Sequence, residues 1–314
     1  MPAITSLNAA NAIAKLVASR ALPPLMGTFV LGSLINRDYD NTFANGGDTL
    51  SIPIPPTLVA NNIAEGGTVQ LQNPSLGTAQ LVLNNHIETT VQIPDVTRAL
   101  ASIPLLDTYM APAGIAIATA LESQLANLYP LFTANTPVGS ATPMDEARID
   151  AAETTLFSAL VPKSEMRYLF VSAGSYSQLR QLPRFTEYQT VGPNVGDSPM
   201  VTGKLPGATN APNGTADGKL KDFWVYRSQF VPVIGGTSFN MAFTKNAIGM
   251  AIRRLGTPLP GTGAVAEYIE AGGYGIRVTM SYQPNQLGQQ FTLDVLSGMT
   301  VIRNAFGVVV KGNS

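Results

Sequence analysis

The chain has 314 residues and not one cysteine, a single histidine and a single tryptophan. Without cysteine there is no disulfide, no thiolate nucleophile and no cysteine metal site. Charge is scarce as well: Lys+Arg 19 and Asp+Glu 20 make 12% of the chain, where a soluble protein carries about 25%. A net charge of −1 leaves no basic footprint for tight phosphate binding. Long apolar runs are missing too. Residues 21–35 are interrupted by Pro23, Pro24, Gly27 and Gly32, and residues 108–121 by Pro112; both fall short of the ~20 apolar residues of a membrane span. Lys15 and Arg20 follow apolar residues, the reverse of a signal peptide, so the chain is expected to be made and used in a cytosol.

What is present is apolar. Hydrophobic residues make 45% of the chain and mean hydropathy is +0.14, enough to offset chain entropy and argue against disorder. A compact monomer of this size has roughly 12,500 Å² of surface, about one charge per 320 Å² and half the usual density. Much of that surface is expected to face other protein rather than water.

Catalytic chemistry has few residues to stand on. His86 lies in LVLNNHIETTVQI, where Leu81, Leu83, Ile87, Val91 and Ile93 give mostly period-2 spacing, so it reads as a strand residue. Gly203-Lys204-Leu205 and Gly218-Lys219-Leu220 lack the Ser/Thr and upstream spacing of a phosphate loop. Gly272-Gly273-Tyr274-Gly275 precedes a strand and reads as a turn rather than a dinucleotide fingerprint. Asp145, Glu146, Asp150 and Glu153 form the one acidic cluster. They open a helix in which Thr142 is the expected N-cap, Pro143 a first-turn proline, and the acids complement the helix dipole. Trp224 and Tyr226 alternate in KDFWVYRSQFVPV and read as strand packing.

Along the chain, a short helical pattern at residues 9–21 is followed by Pro23-Pro24 and an apolar segment ending at Asp38, an extended arm. TLSIPIPP and LVLNNHIETTVQI, separated by a Gly-rich excursion, predict a long β hairpin. Such a ribbon is marginal in water and needs a partner surface. Leu106, Tyr109, Met110, Ala113, Ile117, Leu121, Leu125 and Leu128 recur at three and four, predicting a long helix over about 103–130. A helix over 143–160, a strand MRYLFVS and a short helix capped by Ser172 make the middle mixed α and β. Residues 192–219 are too rich in Gly, Pro and Asn for a core element and read as an exposed loop. DFWVYRSQFVPVI, FNMAF and AIGMAIRRL read as strands, and a β-rich tail follows in which Ile276, Val278, Met280 and Tyr282 alternate with polar residues.

This order, carried by LGSLINRDYDNTFANGGDTLSIPIP (31–55), VQIPDVTRALAS (91–102), the alanine-rich helix, and AGGYGIRVTMSY with FTLDVLSGMTVIRNAFGVVV, resembles the major capsid (coat) proteins of tailed double-stranded-DNA bacteriophages. The likeness is to the Johnson fold and, within it, to the podovirus-type coat protein family. It implies an α+β fold with an N-terminal arm (1–44), an extended hairpin loop (45–95), a peripheral domain (96–139 and 261–314) built on the long spine helix, and an axial domain (140–260) carrying the 192–219 loop. It also implies a non-enzymatic, cofactor-free structural role: hexamers and pentamers closing into an icosahedral shell around phage DNA, contacted non-specifically, in a virion capsid assembled in host cytoplasm. A scaffolding protein, a portal and an optional decoration protein are the implied partners.

Some shells of this fold are cross-linked through an extended-loop lysine, but residues 45–95 hold no Lys, so no such link is expected. Some relatives begin with a fused scaffolding segment of about a hundred residues; here the hairpin starts near residue 46, so a separate scaffolding protein is expected. Arg37, Asp38, Asp48, Glu65, Glu88, Arg98 and Asp107 flank the loop and helix and are the expected intersubunit ion-pair residues, against the alternative that each is a solvated surface charge. The rival readings are an encapsulin-like compartment holding protein cargo, and a hydrolase using the carboxylates at 145–153.

Overall fold

The computed structural model describes residues 15–17, 19–23, 29–40, 47–100, 105–140, 142–182, 216–259, 262–271 and 274–313. Strands β1 (Thr49–Ile54) and β2 (Gly77–Val82) form a two-stranded antiparallel ribbon. A second sheet gathers β3 (Asn85–Pro94), β9 (Ile248–Arg253), β10 (Ala264–Ala271), β11 (Tyr274–Gln283) and β12 (Gly288–Val301), in the order β10-β11-β12-β3 with β9 also on β12. The third holds β4 (Arg167–Val171), β5 (Gly218–Leu220), β6 (Phe223–Arg227), β7 (Val233–Ile234), β8 (Thr237–Thr244) and β13 (Gly307–Asn313), in the order β13-β8-β4-β6-β5 with β7 on β8. Accompanying them are the helices α1 (Asp95–Leu100), α2 (Leu105–Ala126), α3 (Glu146–Ser158) and α4 (Ala173–Arg180). None is long and apolar enough to cross a membrane.

Alternation along β4 explains the third sheet. Tyr168 and Phe170 face the main core, while Leu169 and Val171 face a second core with α3 and α4. Both faces are covered, so every residue of β4 is buried. β8 repeats the pattern, with Met241 and Phe243 on one side and Ala242 on the other. The main core lies under α2, whose Met110, Ala113, Ile117, Leu121 and Leu125 pack against residues of both large sheets. At 1.5 Å per residue α2 is about 33 Å long. It starts and stops inside the expected 103–130: residues 101–104 lie outside the described ones, and Pro130 enters a 3-10 turn at Tyr129–Leu131. Pro112 is tolerated on its exposed side.

Four local expectations change. LVLNNHIETTVQI is two strands, because β2 ends at Val82 and β3 leaves the ribbon to pair along its whole length with β12. The N-cap of α3 is Asp145, whose extended backbone lets its carboxylate accept the Arg148 N–H at 3.0 Å. Thr142 instead offers its carbonyl to the Arg148 guanidinium at 2.7 Å, beside the carbonyls of Ser140 and Lys311. The two large sheets also trade strands across residue 260: β9 joins β12, and β13 returns to β8. Finally, the 192–219 loop lies mostly outside the described residues, and its end, Gly218-Lys219, is strand β5. The Ser172 cap is as expected, accepting the Ser175 N–H at 3.2 Å. The helical pattern near the N-terminus is seen at residues 15–17 and 19–23.

Candidate assembly surface

The hairpin does not stop where its ladder does. Ile54 pairs with Gly77. Five residues further out on both strands, the Gln72 side-chain amide engages both backbone groups of Val59, accepting its N–H at 3.0 Å and donating to its carbonyl. Another five residues out, Gly67 N–H donates to the Ala64 carbonyl at 2.9 Å, closing a turn. Gly66 there has φ +79°, the left-handed third position of a type II turn that favours glycine. One register therefore runs from root to tip, which puts the tip up to about 36 Å beyond the last ladder pair at strand rise.

Every residue from 57 to 78 is exposed. Leu58, Val59, Ile63, Val69, Leu71 and Leu76 are among them, Leu71 at 97%. Glu65, at the tip, is the only charge in that stretch. Beyond Ile52 and Leu81, which are buried at the root, Leu58, Val69 and Leu71 carry apolar surface outward along the hairpin. An apolar face thus continues past the body that covers its first part, and such exposed patches mark interaction surfaces.

The root is fixed. Ile52, Leu81 and Leu83 pack with Ala251 and Ile302 in a small core of their own. A Cβ on Gly298 would lie 2.3 Å from the Val82 carbonyl oxygen, so only glycine lets β12 approach so closely. Just outward of this core a groove of about 550 Å³ opens between the hairpin (Ile54, Ala79), the end of α3 (Leu160) and the turn after β12 (Val301, Arg303, Phe306). Leu160 sits at φ +57° and is 79% exposed. The Arg303 guanidinium lies 4.9 Å from the Phe306 ring centre.

The arm docks through buried polar groups. Leu31 N–H donates to both carboxylate oxygens of Glu122, at 3.2 and 2.9 Å. Glu122 is on the core side of α2 with no exposed surface, and burial pushes its carboxyl up to about 8 against hydrogen bonds from Leu31, Ser228 and Val30. Asn36 extends the arm as a short parallel bridge to Gly249. Arg37 holds Asp40 at 3.0 Å and lies 4.2 Å over the Tyr274 ring. Asp40 accepts the Ile252 N–H at 2.8 Å, yet burial raises its pKa despite Arg37.

No protein-family model and no curated protein matches the chain, whereas solved structures do. A Mycobacterium phage Che8 chain superposes with a TM-score of 0.66 at 18% identity, over 90% of this chain and 91% of that one. A chain of the capsid of cyanophage P-SCSP1u gives 0.57 at 14%, over 86% and 85%. The chain has a phage-capsid fold. A virus-like particle from Pyrococcus furiosus gives 0.52 at 10% identity, over 94% of this chain and 98% of that one.

Within this capsid fold the seven charges expected at contacts scatter. Asp38 and Asp48 are exposed where the arm meets the hairpin root, and Glu65 is at the tip. Glu88 is exposed on the edge strand β3, accepting the Thr90 hydroxyl, and Arg98 pairs with Asp95 at 3.4 Å on exposed α1. Arg37 is engaged within its own chain, and the Asp107 side chain lies outside the described residues. His86 is hydrogen bonded to Asp294 at 2.8 Å, the buried partner of Arg277. Three of the four clustered acids have structural partners: Asp145 caps α3, while Glu146 and Asp150 flank Lys221. Among the described residues no cluster suited to a metal ion occurs. Missed were Glu122 and Arg303. Glu122 had a signal, since it stands four residues after Ala118 and three before Leu125, on the apolar stripe of the spine.

Proposed function

We propose that the chain is the major capsid protein of a tailed double-stranded-DNA phage, of the podovirus type, whose copies close as hexamers and pentamers into an icosahedral shell around the genome. The observation that carries this reading is the exposed, apolar, nearly uncharged hairpin at 57–78, standing on a body that matches phage-capsid structures over about nine-tenths of its length. A protein that worked alone would leave that surface in water; a shell subunit covers it with its neighbours. On this reading the exposed Asp38, Asp48, Glu65, Glu88 and Arg98 form ion pairs between copies. The arm (1–44), extended loop (45–95), peripheral domain (96–139 and 261–314) and axial domain (140–260) divide the labour, with β9 and β13 crossing between the two large sheets and the axial part gathering around the symmetry axes. A net charge of −1 suits an inner wall that confines DNA without gripping it. A scaffolding protein, a portal and a decoration protein are the partners, and assembly takes place in host cytoplasm without any catalytic step.

The alternative with an observation behind it is an encapsulin-like compartment, supported by the likeness to the Pyrococcus furiosus particle. Particles purified from the native source and viewed by electron microscopy test both. Closed shells with nuclease-protected DNA are expected. Shells filled with protein and lacking DNA establish the alternative, and an absence of shells overturns both.

A further inference from the structure

We propose that Gln72 is a positioning residue for assembly: its side chain replaces the backbone rungs that the outer hairpin lacks, so that each subunit meets its neighbours with this surface already shaped. The proposal rests on the shell reading, in which neighbours cover residues 57–78, and adds to it the residue that prepares that stretch beforehand.

The ladder of the ribbon stops at Ile54–Gly77 for a local reason. Proline has no N–H to donate to a ladder, and Pro55 and Pro56 follow on one strand while Pro74 stands on the other. Beyond that break the strands share no backbone-to-backbone hydrogen bond, among the described residues, until Gly67 N–H meets the Ala64 carbonyl at the tip. Packing adds little, since every residue from 57 to 78 is exposed. A two-stranded ribbon in water is marginal even with its ladder intact.

One side chain bridges the gap. The Gln72 carboxamide accepts the Val59 N–H at 3.0 Å and donates to the Val59 carbonyl. A carboxamide carries an acceptor oxygen and N–H donors, the two functions of a peptide group, so it closes the two-bond ring that a hydrogen-bonded antiparallel pair closes. Its place matters as much as its chemistry. Val59 and Gln72 lie five residues beyond Ile54 and Gly77, and Ala64 and Gly67 lie five further out, so the rung falls midway between the last ladder pair and the turn. Asn61, Asn62, Gln70 and Asn73 in the same stretch have the same functional group. Among the described residues only Gln72 uses it across the hairpin.

A contact that must first order a loose stretch of chain loses affinity to the entropy of that ordering. A rung formed within the free subunit removes that loss at every copy in the shell.

The test uses full-length subunits, before and during assembly. In dissociated wild-type subunits the Val59 amide should exchange about tenfold more slowly than its intrinsic rate, the strength of one or two ordinary hydrogen bonds. Gln72→Ala should abolish that protection without moving the urea midpoint, because the side chain is exposed, and should require about tenfold more subunit before light scattering reports shells. A wild-type Val59 amide that exchanges at its intrinsic rate overturns the proposal. So does a Gln72→Ala chain that loses the protection yet assembles at the wild-type concentration. A variant that assembles poorly while Val59 stays protected also overturns it, by making Gln72 a contact residue rather than a positioning one. These three results leave the shell reading standing, whereas wild-type chains that form no shells overturn both together.

Discussion

Glu122 is where the structure predicts its largest pH dependence. Its carboxyl is buried with Leu31, Val30 and Ser228 as hydrogen-bond partners, and Tyr274, itself under Arg37, is near enough to feel its charge. No cation touches it directly among the described residues. In the unfolded chain the proton leaves near 4.5, and in the folded chain near 8. Between those values the folded state holds a proton that the unfolded state has lost. Stability is therefore full below the unfolded value and falls by about 1.4 kcal/mol per pH unit as pH rises toward the folded one. The whole interval is worth on the order of 5 kcal/mol at most, because water drawn toward a forming carboxylate offsets part of the penalty. Glu122→Gln keeps the shape and an acceptor for Leu31 N–H but cannot ionise. Urea unfolding of dissociated subunits of both chains at about pH 5.5, 7 and 8.5 isolates the effect, since every other titrating group cancels in the difference. The two should be nearly equal at the acid end, with the Gln chain more stable by several kcal/mol at the alkaline end. Protection of the Leu31 amide, its exchange relative to the intrinsic base-catalysed rate, should fall with pH in the wild type alone. Parallel stability profiles for the two chains would refute the reasoning.

Leu71→Ser should leave subunit stability within about 0.5 kcal/mol, because the side chain is 97% exposed, while lowering shell yield; a destabilised subunit that assembles normally would contradict the interface assignment. Gly114→Ala puts a Cβ 2.2 Å from the Ala21 carbonyl oxygen; overpacking of about 1–3 kcal/mol is expected, with faster amide exchange over residues 19–23, and unchanged exchange there would refute the close packing. Asp294→Asn removes the counter-charge that Arg277 meets at 2.9 Å in a nearly buried pair; a loss of about 3–5 kcal/mol in urea unfolding is expected, and a loss under about 1 kcal/mol would show that solvent screens the pair.

Much of the scaffold was legible because its signals are local. The spacing of Met110, Ala113, Ile117, Leu121 and Leu125 marks the spine, the alternation of Ile276, Val278 and Met280 marks β11, and Ser172 caps α4 as its residue type demands. What escaped was decided by distant partners. Asn84-Asn85 is only a weak break inside an apolar run; where β3 goes is decided by β12, about two hundred residues later, which offers it a full ladder. β13 reads as a continuation of β12, yet the turn at Asn304–Phe306 sends it to β8 in the other sheet. Thr142 and Asp145 are equally good caps by type, and Arg148 decides between them by drawing in the Thr142 carbonyl. The hairpin was legible as lysine-free and apolar. Its groove was not, since residues near 54, 79, 160 and 303 meet only in the fold.

The scarcity of charge follows from the same geometry. In a closed ring or shell every side chain recurs in each copy, so a lysine placed on the hairpin would be buried at every equivalent contact, and each instance would need its own partner. An unpaired buried charge costs several kcal/mol, multiplied by the number of copies, whereas an apolar residue gains at each one. A hairpin that must lie against a neighbour is therefore best built from Leu, Val, Ile, Asn and Gln, with one charge at most to fix its register. In residues 57–78 these types alternate with Thr, Ala and Gly, with Glu65 as the single charge. Where one chain satisfies its charges itself, as Arg37 with Asp40 and Arg277 with Asp294 do, the pairing does not depend on how copies meet.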